Sequence, residues 1–298
     1  MEILLEIYTP ATSANLGPGF DCLGVSLKLY NRVQITPAAQ TQVFIKGEGE
    51  GDERLVCDNV FVRIFQDSLA SLGVKNTKFK FDFDNQIPFS RGLGSSSSVV
   101  VGAIAAAHFF ATNKAEKRAV LNEALRYENH PDNIAPAALG GFSASAVKGG
   151  EVVSQRCEID PSVKAVVVVP KVTISTEESR KVLPTSLSLQ DAVSNLSGAA
   201  FVTACFFAKD YASLRFGETD TIHQSRRMSC VEGLVELQKM AYENGALYST
   251  LSGSGSSFLN IVWREDAPRL KQVLQARFEE FAVFECEFDN GGFEILKD

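Results

Sequence analysis

The residues with the clearest chemical potential fall in one run, Ile87-Pro88-Phe89-Ser90-Arg91-Gly92-Leu93-Gly94-Ser95-Ser96-Ser97-Ser98. Its two glycines let the backbone turn at positive φ and let a ligand approach the main chain. The four serines that follow are good helix N-cap residues and carry hydroxyls. Val99 to Ala107 then reads as a buried helix. A glycine loop opening a helix gathers unpaired amides at the positive end of the helix dipole, an anion site most often used for phosphate. A flexible Gly/Ser link before a core helix is the other reading, and the loop alone leaves both open. Two familiar phosphate loops are excluded. The P-loop requires a lysine that this run lacks, and the dinucleotide fingerprint requires a third glycine where Ser97 stands.

Other polar residues stand at intervals around this run. Asn15 and Asp21 lie in a stretch rich in turn formers, Thr9 to Asp21, and both can bond a polar ligand. Leu121, Leu125 and Glu128 follow the spacing of one helical stripe, so Glu128 is expected to point inward with the leucines. A carboxylate there requires Mg²⁺, an arginine or several donors; otherwise it simply ends the helix at solvent. His130, Asp132 and Asn133 sit on a proline-bounded turn, and Asp132 can orient or accept a hydrogen from a hydroxyl. Ser175 to Glu178 has capping-box spacing and opens a short helix carrying Arg180. Arg226 and Arg227 lie in a polar stretch, and Leu251 to Ser257 forms a second glycine/serine loop.

The elements that must position these residues are readable in outline. Strands are expected at Ile3–Tyr8, Leu27–Thr36, Gln42–Lys46 and Ala165–Pro170, and helices at Asn59–Leu72, Ala115–Glu128 and Ala192–Phe207. Strict alternation in Lys78 to Asp84 predicts a half-exposed strand with its phenylalanines inward. A helix near Ala267–Phe281 and a strand near Val283–Phe288 close an α+β pattern. With 298 residues the chain has room for two domains, divided at about residue 160 into 1–160 and 161–298. A net charge of −7 without a lysine/arginine block argues against nucleic acid. Six scattered cysteines without a C-x-x-C pair suggest reduced, mostly buried thiols. No basic leader opens the sequence, and the apolar run Val99–Ala107 is too short to span a bilayer. A soluble, cytoplasmic protein without membrane partners is therefore expected.

Three motifs stand in order: Pro10 to Asp21, Pro88 to Ser98 and Leu251 to Ser257. Together they resemble the signature motifs of the GHMP small-molecule kinases. P-A-T-S-A-N-L-G-x-G-F-D, H-P-D-N-x-A-P-A-x-x-G-G from His130, and T-x-E-x-R-x-x-L-P from Thr176 to Pro184 are similar to the homoserine kinase family within that group. The resemblance implies a two-domain fold: an N-terminal domain like the second domain of ribosomal protein S5, and a ferredoxin-like C-terminal domain. It implies ATP-dependent phosphorylation of L-homoserine for threonine synthesis, and it brings homodimers into view because relatives often form them.

Carried over by residue, the resemblance places ATP phosphates on the main chain of Pro88, Phe89, Ser90, Arg91, Gly92, Leu93, Gly94, Ser95, Ser96, Ser97 and Ser98. Mg²⁺ goes to Ser96 and Glu128. The amino acid goes to Asn15, Asp21, His130, Asp132, Arg180 and Arg227. The arginines suit its carboxylate, Asp21 its ammonium and Asp132 its hydroxyl. Asn133 stands where some relatives carry an aspartate base, so Asp132 is expected to orient the hydroxyl without a strong base. The family's H-[QE]-P-Y-R run is His223-Gln224-Ser225-Arg226-Arg227 here, which leaves Arg226 competing with Arg227. A kinase of an isoprenoid precursor or sugar is the alternative within the fold. A non-catalytic metabolite binder is expected to lose Glu128, Ser96 or the glycines, and all are present.

Overall fold

Two hydrophobic periodicities build two sheets. The computed structural model describes residues 4–75 and 77–297; Ile3, the expected start of the first strand, lies outside them. The first sheet contains β1 (Leu5–Ala14), β2 (Leu23–Pro37), β3 (Gln42–Gly47), β4 (Phe79–Asn85), β5 (Phe142–Lys148), β6 (Glu151–Cys157) and β11 (Glu294–Lys297). Its order is β11-β1-β2-β4-β3, with β5 on the other end of β2 and β6 beside β5. Every pairing is antiparallel except β3 with β4. The alternation of β4 places Phe79, Phe81 and Phe83 in the core. There they meet Phe61 and Phe65 of α2 (Val60–Ser71), edge to face. The Asn59 side chain caps that helix by accepting from the Val62 amide at 3.2 Å.

α1 (Glu53–Cys57) precedes α2, and α3 (Ser95–Thr112), α4 (Lys117–Ala124) and α5 (Pro131–Leu139) follow β4. α3 is buried almost continuously from Ser97 to Ala107 because helices and sheet enclose it on all sides. The second sheet contains β7 (Val163–Val169), β8 (Tyr248–Leu251), β9 (Phe258–Trp263) and β10 (Ala282–Cys286). Its antiparallel order, β10-β7-β9-β8, places the first strand inside, as the ferredoxin-like expectation requires. Its helices are α6 (Thr176–Lys181), α7 (Leu189–Ala208), α8 (Gln224–Met228), α9 (Leu234–Glu243) and α10 (Ala267–Arg277). The valine run of β7 lacks polar alternation because both faces are covered. Ala165, Val167 and Val169 face a core shared with the first sheet, whereas Val166 and Val168 face the cluster of α9 and α10.

Several expectations require correction. β1 extends through Thr9–Ala14, with a bulge at Pro10/Ala11, so the expected loop shrinks to residues 15–22. α4 stops at Ala124, four residues before Glu128. The stretch after His130 is a helix, with Pro131 in its first turn where a missing amide costs little. The last strand returns to the first sheet and pairs with β1, so residues 294–297 join the half that the sequence division assigns to 1–160. The hairpin β5–β6 and helices α1 and α9 were not anticipated. Of the six free cysteines, Cys205 and Cys286 are buried, while Cys57 and Cys230 are exposed. The nine-residue apolar run belongs to an 18-residue helix, and α7 has 20 residues. Both are long and apolar enough to cross a membrane by length and composition, but α3 lies in the core and α7 buries Val202, Cys205 and Phe206.

The halves join through apolar contact. Phe142 of β5 stacks on Phe206 of α7 with ring centroids 4.1 Å apart and planes 7° apart. Phe206→Ala should remove about 3–5 kcal/mol of stability. Chemical denaturation with fluorescence and circular dichroism read together checks this; the two signals should lose cooperativity if the contact couples the halves.

Candidate active site

Three loops converge between the sheets. At the first, Gly94 adopts φ 68° as the N-cap residue of α3, and no side chain caps the helix. The cap is therefore glycine and not the serine expected, and the first-turn amides face a cleft. A Cβ on Gly92 would lie 2.1 Å from the Ser252 carbonyl oxygen. A Cβ on Gly255 would lie 2.2 Å from the Gly92 nitrogen. The two glycine loops thus touch backbone to backbone. The Ser257 amide donates to the Arg91 carbonyl at 3.1 Å, and Ser252 Oγ donates to the Gly92 carbonyl at 2.7 Å. The end of β1, which feeds the third loop, is held there too: the Thr12 amide donates to the Leu93 carbonyl at 3.1 Å, and the Gly253 amide to the Ala14 carbonyl at 3.1 Å.

Pro88, Ser90, Gly92, Leu93, Gly94, Ser95, Ser96 and Ser97 line a cleft of about 220 Å³ with Glu128 and Asn133. Ser98 and Arg91 turn away from it. Ser98 Oγ donates to the Thr9 carbonyl at 3.3 Å, and Arg91 Nε to the Pro170 carbonyl at 3.0 Å. Phe89 belongs to a neighbouring apolar cavity of about 330 Å³, with Leu55, Val60, Phe61, Phe83 and Val99. Sequence reasoning missed that cavity, because its walls come from β3, α1, α2, β4 and α3, elements far apart in the chain that meet only in the fold.

Glu128 lines both the glycine-loop cleft and a smaller cavity beyond it. It is half-buried and faces the cleft, not the apolar interior that the stripe predicted. Its direct partner is Ser97, whose Oγ donates to Glu128 Oε2 at 2.6 Å, while Ser96 stands exposed on the same cleft. Hydroxyl and carboxylate oxygens suit a hard cation such as Mg²⁺, which usually takes one or two carboxylates plus phosphates and water. Among the described residues no group of three or more His, Cys, Asp or Glu could hold a metal ion by itself.

The smaller cavity collects Asn15, Asp21, His130, Asp132, Arg180 and Arg227, all six residues expected to meet an amino acid. Arg180 Nη2 donates to both Asp21 oxygens, at 2.8 and 3.1 Å. His130 Nδ1 lies 3.5 Å from Asp21 Oδ2. Asn15 Oδ1 accepts from the Asp21 amide at 2.9 Å, and Asn15 Nδ2 donates to the Gly253 carbonyl at 2.9 Å. Arg227 is 3% exposed and donates to the Ser179 and Gly253 carbonyls at 3.2 and 3.1 Å. Burial and the Arg180 charge lower its pKa to about 10, so it stays protonated at neutral pH. Arg226 is exposed and donates to the Thr221 carbonyl at 3.0 Å. The structure thus separates the two arginines that the sequence left in competition. Phe20, which sequence reasoning passed over despite its place between Gly19 and Asp21, lies under both Arg180 and Arg227.

Asp132 is the unusual carboxyl. It sits in the first turn of α5, is 2% exposed, and its Oδ1 has no hydrogen-bond partner. Burial, then the charges of Asp21 and Glu128, raise its pKa to about 7. Thr12 Oγ1 donates to Asn133 Oδ1 at 2.7 Å, which ties the next residue to β1.

Comparisons with known proteins place the chain in a family. The family model for the GHMP kinases N terminal domain matches residues 59–141, and that for GHMP kinases C terminal matches 205–280. A homoserine kinase of Campylobacter concisus is 51% identical over 293 residues, covering 98% of this chain and 100% of the relative. The chain belongs to the homoserine kinase family of the GHMP kinases. A homoserine kinase of Campylobacter jejuni subsp. doylei is 52% identical over 291 residues, covering 98% of this chain and 100% of its own. The crystal structure of homoserine kinase from Cytophaga hutchinsonii superposes with a TM-score of 0.88 at 24% identity, covering 98% of this chain and 97% of that one. That last likeness speaks for the fold.

The pKa of Asp132 sets a pH signature on stability. The native state holds a proton that the unfolded chain releases above 3.8, so native stability falls as pH rises toward about 7 and then levels. Asp132→Asn cannot ionise and escapes this loss. Relative to the parent it should gain about 3 kcal/mol between pH 5 and pH 8. Urea midpoints at the two pH values check the sign.

Proposed function

We propose that this chain is an ATP-dependent homoserine kinase that forms O-phospho-L-homoserine for threonine biosynthesis. The observation that carries the reading is the alternating charge of the small cavity, with Arg180 and Arg227 against Asp21. A zwitterion brings one carboxylate for the guanidinium groups and one ammonium for Asp21. The Arg180–Asp21 pair then exchanges an internal ion pair for contacts of the same sign pattern. Among the described residues the lining offers no further lysine or arginine for a second phosphate, which disfavours a phosphorylated isoprenoid or sugar substrate.

The apolar cavity beside Phe89 suits a purine ring, and the uncapped amides at Ser95 to Ser97 suit the phosphates. Ser96 and Glu128 would hold Mg²⁺, with Ser97 Oγ bonded to the carboxylate behind them. The bound ion supplies charge neutralisation for the phosphates. The chain's own task is positioning, because phosphoryl transfer passes through a loose transition state with little covalent work for the protein. Asp132 Oδ1, buried and unpartnered, accepts the hydrogen of the substrate hydroxyl and aims its oxygen. Asn133, committed to Thr12, orients without taking a proton. A cytoplasmic enzyme fits these substrates, and a homodimer fits the solvent face of α7, where Leu189, Val193, Leu196 and Phe207 are exposed.

Coupled ADP release tests the reading: L-homoserine should drive turnover, and mevalonate and free sugars should not. Arg227→Ala should raise KM for homoserine by roughly 50-fold or more, the cost of removing a buried charged donor. Arg226→Ala should leave KM within about twofold. Asp132→Asn should keep homoserine binding and lower kcat about 10- to 100-fold. Total loss of turnover with binding intact would instead make Asp132 a general base.

A further inference from the structure

The loop between β1 and β2 carries Asn15 and Asp21, yet its backbone is costly. Asn15, Leu16 and Gly17 all adopt left-handed φ, at 70°, 48° and 70°, and Asp21 does so at 54°. Leu16 resists that region most, by order 1–3 kcal/mol, while Asn15 and Asp21 are of the types that tolerate it better and Gly17 adopts it freely. Three successive carbonyls of this loop each receive a hydrogen bond from a buried side chain of the second half. Tyr248 Oη of β8 donates to the Leu16 carbonyl at 2.8 Å. His223 Nε2, at the start of α8, lies 2.9 Å from the Gly17 carbonyl. Asn195 Nδ2 of α7 donates to the Pro18 carbonyl at 2.8 Å. The three side chains are 1%, 0% and 7% exposed, so water does not compete for these carbonyls.

None of the three lines the amino-acid cavity, so none is placed to touch substrate. His223 also joins the rack to the cavity wall. Arg227 Nη1 donates to its Nδ1 at 3.2 Å, which leaves Nε2 to donate to Gly17. Burial lowers the His223 pKa, in keeping with this neutral tautomer. The same Arg227 Nη1 reaches the Gly253 carbonyl, to which Asn15 Nδ2 also donates. Tyr248 adds shape to its bond: a Cβ on Gly17 would lie 2.7 Å from its hydroxyl oxygen.

We propose that Tyr248, His223 and Asn195 are positioning residues, a rack that holds the strained loop so that Asn15 and Asp21 face the amino-acid substrate. This rests on the reading of that cavity as the homoserine site. The rack lies on the amino-acid side of the cleft, away from the apolar cavity and the amides of α3. Its loss should therefore act on one substrate only, whereas general loosening of the fold would act on both.

Tyr248→Phe is the first test, because it keeps the buried ring and deletes only the donor. Asn195→Ala is the second, on a different element. In each, KM for L-homoserine should rise about tenfold, with KM for ATP within about twofold of the parent. Calorimetric titration with L-homoserine should show the same loss in Kd. Unchanged homoserine KM and Kd in both folded variants overturns the proposal, as does a parallel rise in both KM values. Absence of homoserine-dependent ADP release in the parent removes the kinase reading and this inference with it. Normal parent turnover with indifferent variants removes the inference alone.

Discussion

The structure depends on one contact between two glycine loops. Gly92 and Gly255 lie so close that neither position has room for a methyl group. Hydrogen bonds through Ser252 and Ser257 then fix the loops against each other. This backbone contact sets the width of the cleft and aims the first turn of α3 into it. It also fixes Ser252 at Ser13, where Oγ donates to Oγ at 2.8 Å, so the third loop is registered on the same point. A side chain at either glycine would separate the two halves locally, and the cleft of the amides would part from the smaller cavity of the arginines, which Glu128 now joins.

Around that point the charges are arranged by cost. Arg227 is buried and keeps its proton because Asp21, Asp220 and Asp132 surround it and carbonyls accept its donors. Asp132 is buried without an equivalent partner, and its ionisation moves up to about 7. The difference is physical and local: an arginine brings several donors to nearby carbonyls, whereas a carboxylate at a helix start depends on what enters the cavity. A buried acceptor without a donor destabilises the empty site, and a hydroxyl arriving there removes the deficit. The same atom can therefore weaken the free protein and favour the complex.

How much of this was legible in the sequence follows from what kind of signal each feature leaves. The glycine loops were readable from their residues, and the six residues of the small cavity only through the resemblance to the homoserine kinase family; that resemblance also implied the ferredoxin-like second sheet, whose strand β8 left no pattern of its own. The helical stripe points Glu128 at the apolar interior, whereas the carboxylate faces the cleft. The helical stripe breaks at Ala124, and it is the following turn that delivers the carboxylate. Proline and asparagine in the stretch from His130 suggest a turn, yet proline at the first helical position is equally at home. The choice between Arg226 and Arg227 was beyond the sequence, since two adjacent arginines differ only in which face of α8 meets the cavity. β11, Tyr248 and Asn195 left no signal at all, because a short strand and two ordinary side chains acquire meaning only through distant partners.

Those distant partners show why the site spans two halves. Asn15, Asp21, Asp132 and Glu128 belong to the first half, and Arg180, Arg227 and Gly253 to the second. A loop with the left-handed residue Leu16 would relax if left alone, since a leucine gains by returning to negative φ. It stays in place because Tyr248, His223 and Asn195 satisfy carbonyls that burial would otherwise leave unpaired, and an unpaired buried carbonyl costs about 1–3 kcal/mol. The strain and the bonds are of similar size, so the loop holds its form only while the apolar interface, with Phe142 on Phe206, keeps the halves together. Packing energy far from the cavity is thereby converted into the placement of two side chains within it.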